Sequence, residues 1–223
     1  MKFNIITLFP EMFTGPLSES IIKRAQDKNL IEINYYNLRD FAQDKHKTVD
    51  DTPYGGGQGM VLKVDVMDRA ITQVKSSSSY KVESNKIRTI LLTPQGKIFN
   101  QEKAIELAHN YDELILVCGH YEGFDQRIRE NLIDEEVSIG EFVLTGGELP
   151  AMMLVDAISR MVPGVLSPGS ADDETFMQKD ETGKYLKEYP QYTRPVEYNG
   201  WKVPEVLASG NHGEIKKWRE RQR

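Results

Sequence analysis

The stretch SIGEFVLTGGELPA, Ser138–Ala151, carries three glycines, Gly140, Gly146 and Gly147, around the apolar run Phe142-Val143-Leu144. Two acids, Glu141 and Glu148, sit inside it, and it has no Lys or Arg. Glycine turns let a backbone approach a ligand closely. Many of them cradle phosphate, but a phosphate also wants a cation, and none is here. Two further turns of this kind are LLTPQGK, around Leu92, Thr93 and Pro94, and LVCGHYEG, around Gly119, Tyr121 and Glu122. Neither G-x-x-x-x-G-K-[ST] nor G-x-G-x-x-G occurs, which disfavours a P-loop and a dinucleotide fingerprint. Backbone N–H and C=O groups can instead grip a neutral heterocycle, with Glu122 or Glu141 suited to a ribose or a cationic centre. S-adenosylmethionine, with adenine, ribose, a sulfonium and no phosphate, is a ligand of that description. One such turn is no more than a strand–helix connection; three with the same chemistry point to a ligand at strand ends.

Other residues offer chemistry with plainer alternatives. A fourth glycine cluster, TPYGGGQGM (Thr52–Met60), reads as a functional loop or an irregular surface one. Before it, Lys45, His46 and Lys47 can touch phosphate or simply be solvated. The four histidines, His46, His109, His120 and His212, lack metal-ligand spacing. Cys118, in LILVCG, reads as a small core residue rather than a nucleophile. Asp156 and Arg160 stand four apart near a helix end, as an internal ion pair or as a cation waiting for an anion. DDETF, Asp172–Phe176, is a solvated acidic run or a carboxylate anchored by Phe176. YPQYTRP, Tyr189–Pro195, interleaves aromatics with Arg194, for base stacking or for a small tyrosine core.

The elements that must position these residues follow from hydrophobic pattern. Lys2–Phe9, Leu30–Leu38, Ile87–Leu92 and Glu113–Cys118 read as strands, and Ile133–Ser138 and Phe142–Leu144 as short extended pieces. Leu17–Asp27, Val64–Lys75, Gln101–His109 and Pro150–Val162 read as helices, the last apolar nearly all round and so buried. Ser76–Ser79 reads as a flexible connector. Alternation of strand and helix predicts an α/β fold with a mostly parallel sheet covered on both faces. The expected domains are 1–166, a polar linker 167–184 that orders when docked, and a small, short helical tail 185–223. Asn211 with Glu214 forms a capping pair for a basic helix in that tail.

The 223 residues are 39% hydrophobic and 28% charged, with a net charge of −6, which argues against a general nucleic-acid coat. The charge is uneven: residues 184–223 hold nine Lys and Arg against five Glu, a local site for a polyanion. One cysteine, no signal-peptide pattern and no long apolar run predict a cytoplasmic protein without a membrane span.

In chain order, LFPEMF, DKHKTVDDTPYGGGQGM, LTPQG, LVCGHYEGFDQR, DEEVSIGEFVLTGGELPAM, SRMVPGVL, YTRPVEY and PEVLASGNHGEIKKWR resemble the bacterial tRNA (guanine-N1)-methyltransferase family over nearly the whole chain. The resemblance implies a SPOUT fold with a deep C-terminal trefoil knot and a small helical C-terminal domain that binds tRNA. It implies a homodimer with the active site at the subunit interface. The implied reaction moves the methyl of S-adenosylmethionine to N1 of the guanine 3′ of the anticodon. The implied cofactor residues are Leu92, Thr93, Pro94, Gly119, Tyr121, Glu122, Ile139, Gly140, Phe142, Val143, Leu144, Gly146 and Gly147, with Glu141 beside them. Arg160 takes the position of a cation for guanine O6, and a carboxylate removes the N1 proton. Family members need Mg²⁺, for which the sequence offers no dedicated cage. The family's Asp-Ser-Phe stands here as Glu174-Thr175-Phe176, so the base is Glu174 by register or Asp173 by residue type, with Glu174 favoured. CGHYEG replaces the commoner CGRYEG, and Gln191 replaces a His. The rival readings are a knotted ribose methyltransferase, which would not need these acids, and a binding module without catalysis.

Overall fold

The computed structural model describes residues 1–77, 83 and 86–223. The chain folds as two units, Met1–Leu166 and Ser167–Arg223. The first unit is an α/β layer structure built on five strands. In chain order these are β1 (Lys2–Thr7), β2 (Glu32–Asn37), β5 (Ile87–Ile98), β6 (Glu113–Cys118) and β7 (Glu135–Ser138), with a two-residue pair β3 (Asp50–Asp51) and β4 (Val61–Leu62) outside the sheet. The sheet order is β2-β1-β6-β5-β7, and every pairing in it is parallel. Helices α1 (Ser20–Asp27), α2 (Val64–Ser77), α3 (Gln101–Asn110) and α4 (Gln126–Asn131) lie between successive strands of the sheet, and α5 (Glu148–Ser159) follows the last of them.

The central strand is a run of Glu-Leu-Ile-Leu-Val-Cys buried along its whole length, as a strand covered on both faces must be. Its side chains alternate between two cores. Leu114, Leu116 and Cys118 join Phe3, Ile5 and Ile90 in the core that takes in α1, α3 and α5 residues. Ile115 and Val117 join Ile6 and Leu91 in the core that takes in α2 and α4 residues. The edge strand β2 is only half-buried, with polar side chains such as Asn34.

The expected elements are present, with informative differences at their ends. The strand read as ending at Leu92 runs on to Ile98, but its register on β7 shifts between Leu92 and Lys97. Thr93–Gly96 is therefore a bulge at the strand's carboxyl end. Gly96 is required there: a Cβ on it would lie 2.5 Å from the Val137 amide nitrogen. Phe142–Leu144 is not a strand, because it has no pairing partner among the described residues. Helix α5 starts two residues before the expected Pro150 and ends at Ser159. It is buried on one side only; Leu149 and Met153 are about half exposed, at 52% and 51%. Of the expected serine connector, Ser76 and Ser77 close α2, while Ser78 and Ser79 lie outside the described residues.

The second unit has short elements: the hairpin β8 (Glu197–Tyr198) and β9 (Trp201–Lys202), the single turn α6 (Glu205–Ala208) and α7 (His212–Gln222). Asn211 caps α7 by accepting the Glu214 amide at 3.3 Å, as the sequence pattern predicts. Residues 167–184 fold on themselves through turns. Lys179 bridges Tyr185, the Leu186 amide donates to the Gln178 carbonyl at 2.9 Å, and Asp180 accepts from the Thr182 and Lys184 amides. The Thr182 hydroxyl, with these amides, holds the Asp180 carboxyl below the usual carboxylate range.

Candidate functional site

Strands β5, β6 and β7 end at one edge of the sheet, and the three glycine turns leave from those ends. Between them lies a cavity of about 460 Å³. Ligands in open parallel sheets favour this position, beyond the carboxyl ends of the strands. The β5 bulge supplies Leu92, Thr93, Pro94 and Gln95 to the wall. The turn after β6 supplies Gly119, His120, Tyr121 and Glu122. The turn after β7 supplies Ile139, Phe142, Val143, Leu144, Gly146 and Gly147. Gly140 and Glu141 belong to the same turn but do not line the cavity, and Glu141 is exposed.

Each turn is pinned from within. Ser138 Oγ donates to the Gly140 carbonyl at 2.9 Å and lies 3.2 Å from the Gly140 amide. The Gly147 amide donates to the Gly119 carbonyl at 2.9 Å, joining the second and third turns. Tyr121 sits at φ 60°, a left-handed conformation that a bulky residue seldom adopts. Such strain costs on the order of 1–3 kcal/mol and concentrates at functional sites. The fourth glycine cluster docks on the second turn: the Glu122 amide donates to the Met60 carbonyl at 3.0 Å. Gly59 makes room for this, since a Cβ on it would meet the Glu122 side chain at 2.4 Å. Tyr54, by contrast, is fully exposed, and Lys47 is engaged with Asp40 at 2.6 Å.

Among the described residues the wall carries one guanidinium, Arg129 on α4. It faces Glu136 in a two-point ion pair, Nε to Oε1 at 2.8 Å, and its Nη1 donates to Gln95. The Glu136 hydrogen bonds raise the Arg129 pKa above its usual value and occupy its charge. The guanidinium on the wall is thus already paired with a carboxylate. Nothing in the sequence pointed to Arg129, because Gln95 and Glu136 become its neighbours only through the sheet.

His120 Nε2 lies 2.8 Å from Glu148 Oε2, and Thr7 Oγ1 donates to Glu148 Oε1 at 2.6 Å. Cys118 lies just beneath. Burial, with Glu148 nearby, pushes its thiol well above the usual range, so it stays neutral at working pH. Cys118 is therefore expected to resist a thiol reagent such as DTNB until denaturant is added; rapid labelling of the native protein would contradict its place in the core. Among the described residues no three His, Cys, Asp or Glu side chains gather as a metal group.

Arg160 follows α5 as its C-terminal cap, half-buried, with its amide on the Asp156 carbonyl at 3.2 Å. A cation there complements the helix dipole. In the second unit, Asp173 is exposed and its carboxylate accepts Arg223 Nη1 at 2.9 Å, whereas Glu174 is half-buried. Phe176 stands at φ 73° with its ring edge-on to Tyr185 at 5.7 Å. Tyr189 lies under Arg219 at 4.6 Å, and Tyr192 is 6.3 Å from Trp218, so these tyrosines pack on α7. Tyr198 and Trp201 on the hairpin stay exposed, at 59% and 73%.

Comparison with known proteins bears on the whole chain. Residues 1–223 match the family model described as tRNA (Guanine-1)-methyltransferase TrmD. The chain belongs to the tRNA (guanine-1)-methyltransferase family. Similar family members include the tRNA (guanine-N(1)-)-methyltransferase of Geotalea uraniireducens, 56% identical over 223 residues, 100% of this chain and 85% of that protein. That of Geobacter sulfurreducens is 54% identical over 220 residues, 98% and 84% of the two chains. That of Dehalococcoides mccartyi strain CBDB1 is 51% identical over 222 residues, 100% and 85%.

Proposed function

We propose that this chain methylates tRNA on guanine N1, at the guanine 3′ of the anticodon, with S-adenosylmethionine as methyl donor. Membership of the family over residues 1–223 carries this reading. The cavity supports it: three backbone turns, an apolar strip Phe142–Leu144, Glu122 on the wall and a guanidinium already neutralised. Those features fit adenine, ribose and a sulfonium. Leu92, Thr93, Pro94, Gly119, Tyr121, Glu122, Ile139, Phe142, Val143, Leu144, Gly146 and Gly147 would hold the cofactor. When bound, it supplies a methyl group activated by sulfonium.

The remaining work falls to side chains of this chain. Guanine N1 bears a proton and becomes a nucleophile only when that proton leaves. Glu174 takes it in this reading, by its register with Phe176. Help of this kind is worth roughly 10²–10⁴-fold. Negative charge then builds on O6, and Arg160 offsets it, as fixed charges do at developing oxyanions. The cavity walls would hold the methyl against N1.

The resemblance also implies a SPOUT trefoil knot, a homodimer with a shared active site, a tRNA-binding tail domain, a need for Mg²⁺ and a cytoplasmic location. Leu149 and Met153, both about half exposed, and Val143 at 81% and Phe142 at 53% are exposed apolar side chains that a second subunit would cover. Among the described residues no helix is long and apolar enough to cross a membrane. The described residues offer no group to hold Mg²⁺, and no step above uses it.

The test is methylation of a tRNA transcript with guanine 3′ of the anticodon, against a matched transcript with adenine, in buffer with Mg²⁺. N1-methylguanosine from the first alone, identified by mass spectrometry, is the expected result. Methylation of both transcripts at a ribose would replace this reading with the ribose methyltransferase.

A further inference from the structure

His120 on the cavity wall is paired with Glu148, which does not itself line the cavity. Glu148 opens α5 and is 1% exposed. Both of its carboxylate oxygens are engaged, one by Thr7 Oγ1 at 2.6 Å and one by His120 Nε2 at 2.8 Å. An ionised carboxylate only accepts, so the hydrogen sits on His120 Nε2. Phe9 fixes the ring from another side, with centroids 4.8 Å apart. The third turn closes over the pair. A Cβ on Gly146 would lie 2.4 Å from the His120 ring and 2.5 Å from Glu148 Oε2. The second and third turns are therefore joined twice, once by the Gly147–Gly119 backbone bond and once by this side-chain bond.

We propose that His120 is a positioning residue of the cofactor cavity. Its bond to Glu148 clamps the turn after β6 onto the turn entering α5. The inference rests on the reading that this cavity takes S-adenosylmethionine. The bond gives a buried carboxylate oxygen its partner, and a buried polar group left without one is costly.

The experiment is calorimetric titration of S-adenosylmethionine into wild type, His120→Gln and His120→Ala at one fixed pH. His120→Ala is expected to bind about tenfold more weakly. His120→Gln, whose side-chain amide can still donate to Glu148, is expected to recover affinity to within about threefold of wild type. Unchanged affinity in His120→Ala would overturn the inference, as would a loss in His120→Gln equal to that in His120→Ala. If His120→Ala does not fold, judged by circular dichroism, His120→Gln decides alone: a loss of about tenfold in the folded variant would overturn the inference. Absence of cofactor binding by wild type would end the cofactor reading itself, and the inference with it.

Discussion

Glu174→Gln is expected to lower kcat by roughly 10²–10⁴-fold, the usual worth of a general base, with cofactor affinity within about twofold of wild type. Gln keeps the size and the hydrogen-bonding reach of Glu but cannot take a proton. Asp173→Asn is expected to cost less than about fivefold. Its carboxylate faces Arg223 at 2.9 Å and is 57% exposed, and an exposed ion pair contributes only about 0–1 kcal/mol. Single-turnover methylation at saturating tRNA separates the two, because it reads the chemical step without product release. The opposite ranking would move the base to Asp173. Wild-type rates in both variants would remove the acidic run from the chemistry and favour transfer to a ribose hydroxyl.

Gly147→Ala is expected to weaken cofactor binding by about 10–100-fold and to lower Tm by about 2–10 °C. The Cβ it introduces would lie 2.7 Å from Cys118 Cα and 2.8 Å from the Gly119 nitrogen. Both are backbone atoms at the end of the central strand, so neither can turn aside as a side-chain tip would. Relief must come from parting the second and third turns, which breaks the Gly147–Gly119 bond and opens the cavity between them. Gly15→Ala is the matched control. At φ 98° it adds backbone strain, but its Cβ meets nothing within 4 Å. It should lower Tm without changing cofactor affinity. Calorimetry and thermal melts of the two variants check this; equal affinity loss in both would mean that general destabilisation, not the turn contact, is responsible.

Much of the architecture is written in local pattern. An unbroken apolar run as short as Leu114–Val117, between strand–turn signals, suits a strand covered on both faces, and Asn211 with Glu214 marks a helix start without reference to anything distant. The glycine turns are legible for the same reason, since close approach and missing cations are local properties. What was hidden is pairing. Pro94-Gln95-Gly96 reads as a turn, yet the strand continues after it because β7 accepts a shifted register. Phe142–Leu144 has strand-like composition but, among the described residues, no neighbour to pair with. His120 and Glu148 are 28 residues apart, and Arg129 and Gln95 are 34 apart; only the sheet makes them neighbours. Helix α5 shows the limit of composition most directly: apolar residues all round imply cover on every side, whereas its own chain covers one.

The run Phe142–Leu144 faces two ways. It lines the cavity, and at 53%, 81% and 37% exposure it also meets the surroundings. In the proposed homodimer, a second copy resting on this run and a cofactor in the cavity would both order the same three residues. Whichever arrives first bears the loss of conformational freedom, and the second finds it already met. Thermodynamic linkage then requires that each raise the other's affinity by the same factor. For the proposed homodimer, assembly and cofactor occupancy would be two readings of one equilibrium, and the cofactor's apparent dissociation constant is expected to depend on protein concentration.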